Sequence, residues 1–137
     1  MPATTELAIE IDNRPGTLGN VCRALASRGV NILAFQLIPS PKKNFMYMVV
    51  DDPVAAEKAL SKDGIGYTEA EVVQVKLPHR PGELARAATR LGEGNININY
   101  AYSGVEPSTN APVVIFGVTE VDRATTILDQ ISSAAGA

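Results

Sequence analysis

The sequence predicts an α/β sandwich built twice over, and three observations predict it. Short runs alternate apolar and polar residues with the period of a strand. Other runs space apolar residues three and four apart, the period of a helix. The whole order then occurs again 66 residues further along the 137-residue chain. Ile11-Asp12-Asn13-Arg14-Pro15-Gly16-Thr17-Leu18 is echoed by Leu77-Pro78-His79-Arg80-Pro81-Gly82-Glu83-Leu84; Leu25 matches Leu91, and Val30-Asn31-Ile32 matches Ile96-Asn97-Ile98. A period this long, found twice, marks two copies of a small domain, 1–70 and 71–137, rather than a solenoid.

In the first copy Glu6 to Asp12 alternates Leu7, Ile9 and Ile11 against Glu6, Ala8 and Glu10, a half-buried strand. Asn13-Arg14-Pro15-Gly16 breaks it; Asn suits an N-cap and Pro a first turn, so a helix is expected from about Pro15. Leu18, Val21, Cys22, Leu25 and Ala26 form its apolar face and Gly29 ends it. Val30 to Ile38 and Phe45 to Val50 read as strands around a turn at Pro39 to Asn44. Asp52-Pro53 opens a helix to about Lys62, with Val54, Ala55, Ala59 and Leu60 inward.

The second copy keeps this order. Val72 to Leu77 is a strand; Pro81 to about Glu93 is a helix with Leu84, Ala87, Ala88 and Leu91 inward. Asn95 to Ser103 and Val113 to Val118 are strands, and Glu120 to about Ser132 is a helix carrying Ala124, Ile127, Leu128 and Ile131. The tail Ser133 to Ala137 is expected to fray. Each copy is strand–helix–strand–strand–helix, whose crossover calls for parallel neighbours and whose hairpin is antiparallel. Two helices on one face of a mixed, mainly antiparallel sheet make a ferredoxin-like α/β sandwich of two βαββα(β) repeats. The second copy lacks a closing strand, so Tyr67 to Leu77 either serves both copies or leaves one sheet a strand short.

Composition narrows the function classes. An apolar fraction of 45% with 20% charged residues is that of a globular domain. A net charge of −3 with no basic run argues against nucleic acid as partner. One Cys and one His build neither a disulfide nor a metal site; Cys22 is expected as a small buried helix residue, and a reducing cytoplasm fits. The first residues lack the pattern of a signal peptide, and no run is long enough to span a bilayer, so no membrane is expected. No nucleophile stands beside a base and no Walker or dinucleotide loop is present, so neither catalysis nor a cofactor is expected.

The run Gly94 to Gly104 places Asn95, Asn97 and Asn99 at alternate positions against Ile96, Ile98, Tyr100 and Tyr102. In a regular strand the asparagines share one face and the Ile/Tyr set the other, with helices over the latter. Asn97 stands out because its repeat-mate is Asn31, and Asn can hold either half of an amino acid. The second shared feature is the Pro-Gly turn into the leading helix. A helix start has unpaired N–H groups and partial positive charge suited to a carboxylate, and Gly16 and Gly82 let a ligand approach the backbone.

Asn13-Arg14-Pro15-Gly16-Thr17-Leu18 followed by Gly29-Val30-Asn31-Ile32, and again His79-Arg80-Pro81-Gly82-Glu83-Leu84 followed by Asn95-Ile96-Asn97-Ile98, resembles the ACT domain, a regulatory module that binds amino acids. The resemblance covers nearly the whole chain as a tandem pair without an attached enzyme. The pattern is most similar to the serine-binding regulatory domain of phosphoglycerate dehydrogenase. It implies a ligand between two domains, with Asn13 and Gly16 facing Asn97, and His79 and Gly82 facing Asn31. That family's His is replaced by Ile11 and Leu77, which argues against serine; Ile11 implies a more apolar pocket.

The expectation is a non-catalytic sensor whose site draws on Asn13, Arg14, Pro15, Gly16, Thr17, Leu18, Asn31, His79, Arg80, Gly82, Glu83, Leu84 and Asn97. It binds a free amino acid, forms a homodimer and signals to an enzyme or regulatory partner. Two alternatives stand beside it. One is a ligand-free interaction module with covered sheet edges. The other is an acylphosphatase-like enzyme using Arg14 and Asn31, although Asn-Arg-Pro-Gly does not match that family's loop.

Overall fold

The computed structural model describes residues 3–136. The chain divides into two compact units: residues 5–70, and residues 71–137 together with the first four. In order, the elements are β1 (Ala3–Ile11), α1 (Thr17–Ala26), β2 (Ile32–Ile38), β3 (Asn44–Val50), α2 (Pro53–Lys62), β4 (Tyr67–Lys76), α3 (Glu83–Glu93), β5 (Ile98–Glu106), β6 (Ala111–Val118) and α4 (Val121–Gly136). Helix α4 thus runs through the segment expected to fray, up to Gly136; Ala137, with Met1 and Pro2, lies outside the described residues.

In the first unit β3 is central. Leu7–Ile11 of β1 pairs antiparallel with one edge of β3 and Ile32–Ile38 of β2 with the other. In the second unit β6 is central, flanked antiparallel by Val73–Lys76 of β4 and by β5. The order is that of a ferredoxin-like α+β fold. One detail differs from the sequence reading: β1 and β2 run parallel but are not neighbours, because β3 lies between them. The crossover through α1 skips a strand. The segment between the copies does serve both. Tyr67 packs on the first core, while Val73–Lys76 take in the second unit the edge place that β1 takes in the first.

Each unit has its own core. Leu7, Ile9 and Ile11 of β1 and Met46, Met48 and Val50 of β3 meet Val21 and Leu25 of α1 and Ala56, Ala59 and Leu60 of α2. Val73 and Val75 of β4 and Val114, Phe116 and Val118 of β6 meet Ala87 and Leu91 of α3 and Ala124, Leu128 and Ile131 of α4. Alternate strand residues project to one face, so both helices of a unit cover the same face. Full burial of one such side chain stabilises by about 1.5–3 kcal/mol. Cys22 is half-buried against the first core, and burial pushes its thiol pKa up, which lowers the share of thiolate.

Several expected inward residues do not pack inward. Leu84 is 55% exposed and Val54 60% exposed; the buried contacts are made by Ala87 and Leu91 of α3 and by Ala56, Ala59 and Leu60 of α2. Ala26, in the last turn of α1, is exposed as well. In the other direction Glu6, expected on the wet side of β1, is buried at 1% exposure.

Helix ends repeat between units. Gly29 has φ 70°, its N–H bonds Ala26 O at 2.9 Å, and Val30 N–H bonds Leu25 O at 3.1 Å. Asn95 has φ 60°, its N–H bonds Gly92 O at 2.9 Å, and Ile96 N–H bonds Leu91 O at 3.0 Å. Asn95 is therefore the left-handed residue that closes α3, not the first residue of a strand.

The strands after these ends are each bulged. Ile32 and Ala34 face Val50 and Val49, so Leu33 is an extra residue; Ile98 and Tyr100 face Val118 and Gly117, so Asn99 is one. Cross-strand partners share a face. Ile98 therefore lies with Val118 on the helix-covered side, whereas Tyr100 and Tyr102 lie with Gly117 and Ile115 on the other. The expected single Ile/Tyr face does not exist, because the bulge exchanges the faces at Asn99. Tyr100 covers Gly117 so closely that a Cβ there would meet its ring at 2.3 Å. Beyond the bulge in β2, Phe35 and Leu37 share the side of Met48 and Met46 yet stay exposed.

Candidate functional site: the two Pro-Gly turns

The turns leading into α1 and α3 have the same hydrogen-bond pattern. Arg14 N–H donates to Asp12 O, and Arg80 N–H to Pro78 O, both at 3.0 Å. Thr17 N–H reaches Arg14 O, and Glu83 N–H reaches Arg80 O, both at 3.5 Å. Gly16 O accepts from Asn20 N–H at 3.0 Å, and Gly82 O from Arg86 N–H at 2.9 Å. The N-caps are Gly16 and Gly82, each left-handed, and neither helix start carries a side-chain cap. Asn13 is therefore not the N-cap, and Pro15 and Pro81 stand just outside their helices. Glycine is required because φ is near 90° at both positions; a Cβ would meet nothing within 4 Å. The open space leaves the first amides of each helix approachable.

Around this common backbone the side chains differ. In the first unit Asp12 is the hub. Its carboxylate lies 3.3 Å from Arg14 Nε and 3.9 Å from Lys43 Nζ, and its carbonyl accepts from Thr17 Oγ1 at 2.7 Å. Thr17 Oγ1 is also 3.1 Å from Arg14 O. Asn13 Oδ1 accepts from Asn44 Nδ2 at 3.2 Å, because the β1–β3 register sets Asn44 beside Ile11. In the second unit Glu83 accepts from Arg80 Nε at 2.9 Å and lies 3.6 Å from Arg86. His79 and Arg80 are exposed. Leu18 packs on the first core, whereas Leu84, its mate, does not join the second. Ile11, expected to make the pocket more apolar, is buried in the first core, and Leu77, its mate, in the second.

The two strand asparagines immediately precede β2 and β5. Asn31 is fixed through its backbone: its N–H donates to Asp51 Oδ1 at 2.9 Å and its carbonyl accepts from Asp51 N–H at 3.0 Å. Asn97 Nδ2 donates to Asn99 Oδ1 at 3.1 Å. Both side chains are on exposed residues, two positions before a bulge. Sequence reasoning missed Asp12, which meets the turn as its chain neighbour, and Lys43 and Asn44, which reach it because β3 begins beside the end of β1.

Two cavities lie elsewhere in the first unit. One of about 640 Å³ is lined by Arg28, Asp52, Val54 and Lys58, and one of about 500 Å³ by Glu10, Lys43, Phe45 and Tyr67. Neither is lined by a residue of the two Pro-Gly turns. Among the described residues no group of three His, Cys, Asp or Glu is placed to hold a metal ion, and no helix is long and apolar enough to cross a membrane.

The duplicated fold agrees with what a family comparison finds. The model of the ACT domain pair matches residues 3–133, and the chain belongs to that family. Among solved structures it is similar to protein BT0572 from Bacteroides thetaiotaomicron, with TM-score 0.82 and 26% identity over 93% of this chain and 88% of that one. It also resembles the ligand-free regulatory subunit of aspartate kinase from Thermus thermophilus, with TM-score 0.62 and 22% identity over 94% and 91% of the two chains. The corresponding subunit from Thermus flavus aligns with TM-score 0.54 and 18% identity over 95% and 92%. The last two likenesses are of fold alone. A search of curated proteins finds no match.

Proposed function

We propose that the protein is a non-catalytic regulator that binds a free amino acid. The α-carboxylate is held by the amides after a Pro-Gly turn, and a strand asparagine, Asn31 or Asn97, holds the rest of the ligand head group. The observation that carries this reading is the pair of uncapped, left-handed glycine turns with matching backbone bonds at α1 and α3. Membership of the ACT domain pair family and the likeness to regulatory subunits support it. Charge-assisted hydrogen bonds contribute about 1.5–3 kcal/mol each. Two or three of them, less the ordering cost, give a Kd on the order of micromolar to millimolar. Occupancy is passed on by favouring one arrangement of a homodimer over another, which an enzyme or regulatory partner in the cytoplasm reads.

Thermal unfolding with each of the twenty amino acids tests this. A ligand at a hundred times its Kd adds about 2.7 kcal/mol of stability, so one or a few amino acids raise Tm. A double-mutant cycle combining Gly16→Ala with Asn31→Ala, and separately with Asn97→Ala, shows which asparagine shares a ligand with that turn. If none of the twenty shifts Tm at millimolar concentration, the interaction-module reading replaces this one, and exposed Phe35 and Leu37 are then the surface to mutate. Release of phosphate from acetyl phosphate would instead favour the acylphosphatase-like reading, in which Arg14 must leave Asp12.

A further inference from the structure

The two turns share a backbone and differ in charge. Arg14 turns back to Asp12, ahead of the helix, and the first turn of α1 holds no acidic residue. Arg80, at the matching position, turns forward to Glu83, the first residue of α3. Arg80 Nε is 2.9 Å from one carboxylate oxygen of Glu83, and Arg86 NH1 is 3.6 Å from the other. The Glu83 side chain is 12% exposed, against 63% for Arg80, so the carboxylate is folded down between the two arginines. The positive end of α3 therefore already has an anion of the chain's own beside it. Thr17 stands where Glu83 would be in the first unit; it is neutral, and its hydroxyl faces the carbonyls of Asp12 and Arg14.

Resting on the amino-acid reading above, we propose that Glu83 makes the two turns unequal. Its carboxylate occupies the electrostatic place of a ligand carboxylate at α3, so the chain takes its amino acid at the turn before α1 and excludes one at the turn before α3. An incoming carboxylate there meets a like charge. It gains access only by displacing Glu83 from Arg80 and Arg86, which strands a largely buried anion. Two sites alike in backbone thus give one binding event per chain, and Arg80 and Arg86 serve the protein's own glutamate.

The test is calorimetric stoichiometry on the full chain. The probe is whichever of the twenty protein amino acids gives the largest rise in Tm. The wild-type protein is expected to take one equivalent per chain and Glu83→Gln two, with Glu83→Thr, the residue of the first unit, also taking two. Thr17→Glu, which copies the second turn onto the first, is expected to weaken the wild-type equivalent by about tenfold or more. Far-UV circular dichroism and the unfolding midpoint show that each variant is folded. Two equivalents on the wild-type protein, or one on both folded Glu83 variants, overturn the role of Glu83 and leave the amino-acid reading standing. No binding by any of the four proteins overturns that reading itself.

Discussion

Gly16 and Gly82 hold one backbone conformation, φ 91° and ψ −14° at the first, φ 89° and ψ −13° at the second. Nothing lies within 4 Å of a Cβ built on either, so replacement by alanine carries the cost of the left-handed conformation and no clash. Gly16→Ala and Gly82→Ala are each expected to lower stability by about 1–2 kcal/mol, read from the urea midpoint at constant m. A much larger loss at either position would mean the turn has another task in the fold.

Leucines at matching offsets divide by burial rather than by spacing. Leu25 and Leu91 are fully buried, one in each core, and truncation to alanine is expected to cost about 2–5 kcal/mol at either. Leu84→Ala, on the same helix as Leu91, is expected to stay within about 0.5 kcal/mol of the wild type because its side chain is exposed. Denaturant curves on the three variants decide this.

The helix end at Asn95 predicts a different pattern of tolerance. Gly29 already occupies the equivalent position at φ 70°, so Asn95→Gly is expected to be neutral or to add a few tenths of a kcal/mol. Asn95→Val, β-branched and forced to positive φ, is expected to lose about 1–2 kcal/mol. The comparison of melting curves would contradict the assignment if valine were tolerated as well as glycine.

The β5–β6 hairpin contains a group that titrates far from its usual range. The Glu106 carboxylate accepts from the hydroxyls of Ser108 and Thr109 at 2.6 and 2.7 Å and from their backbone N–H groups at 3.0 and 3.1 Å. The side-chain bonds from Ser108 and then Thr109 are the main cause of its pKa being held down at about 2. A depressed folded value means that the stabilisation is complete above the unfolded pKa, about 4.3 for Glu, and is lost as pH falls through about 2. Carbon-detected NMR titration of Glu106 should show a midpoint near the lower value. Glu106→Gln should flatten the acid limb of the stability–pH curve; an ordinary midpoint would mean the turn is open in solution.

Much of this fold is legible in the residues because its elements announce themselves locally. Asp52-Pro53 opens α2 as expected, the Asp52 side chain accepting from Ala55 N–H at 3.1 Å, and α3 and α4 bury the spaced residues Leu91, Ala124, Leu128 and Ile131. What local pattern does not carry is register. An alternating run looks the same with or without an extra residue, so nothing in Asn95 to Tyr102 discloses that the ladder slips at Asn99 or that Asn95 still belongs to a helix end. Nor does spacing alone settle burial: Leu91 reaches the second core and Leu84 on the same helix does not, whereas Leu18, the mate of Leu84, packs on the first core. At the candidate site the motif discloses the turns but not their charges. Asp12 takes Arg14 and Glu83 takes the matching Arg80, and those unlike pairings exist only once the backbone has closed.

The surplus residues Leu33 and Asn99 stand at matching places in the two halves, as different amino acids in the same irregular pairing. Deleting either residue would restore an unbroken ladder and turn every side chain between it and the strand's start to the opposite side, so the same one-residue excision would misdirect Asn31 in one half and Asn97 in the other.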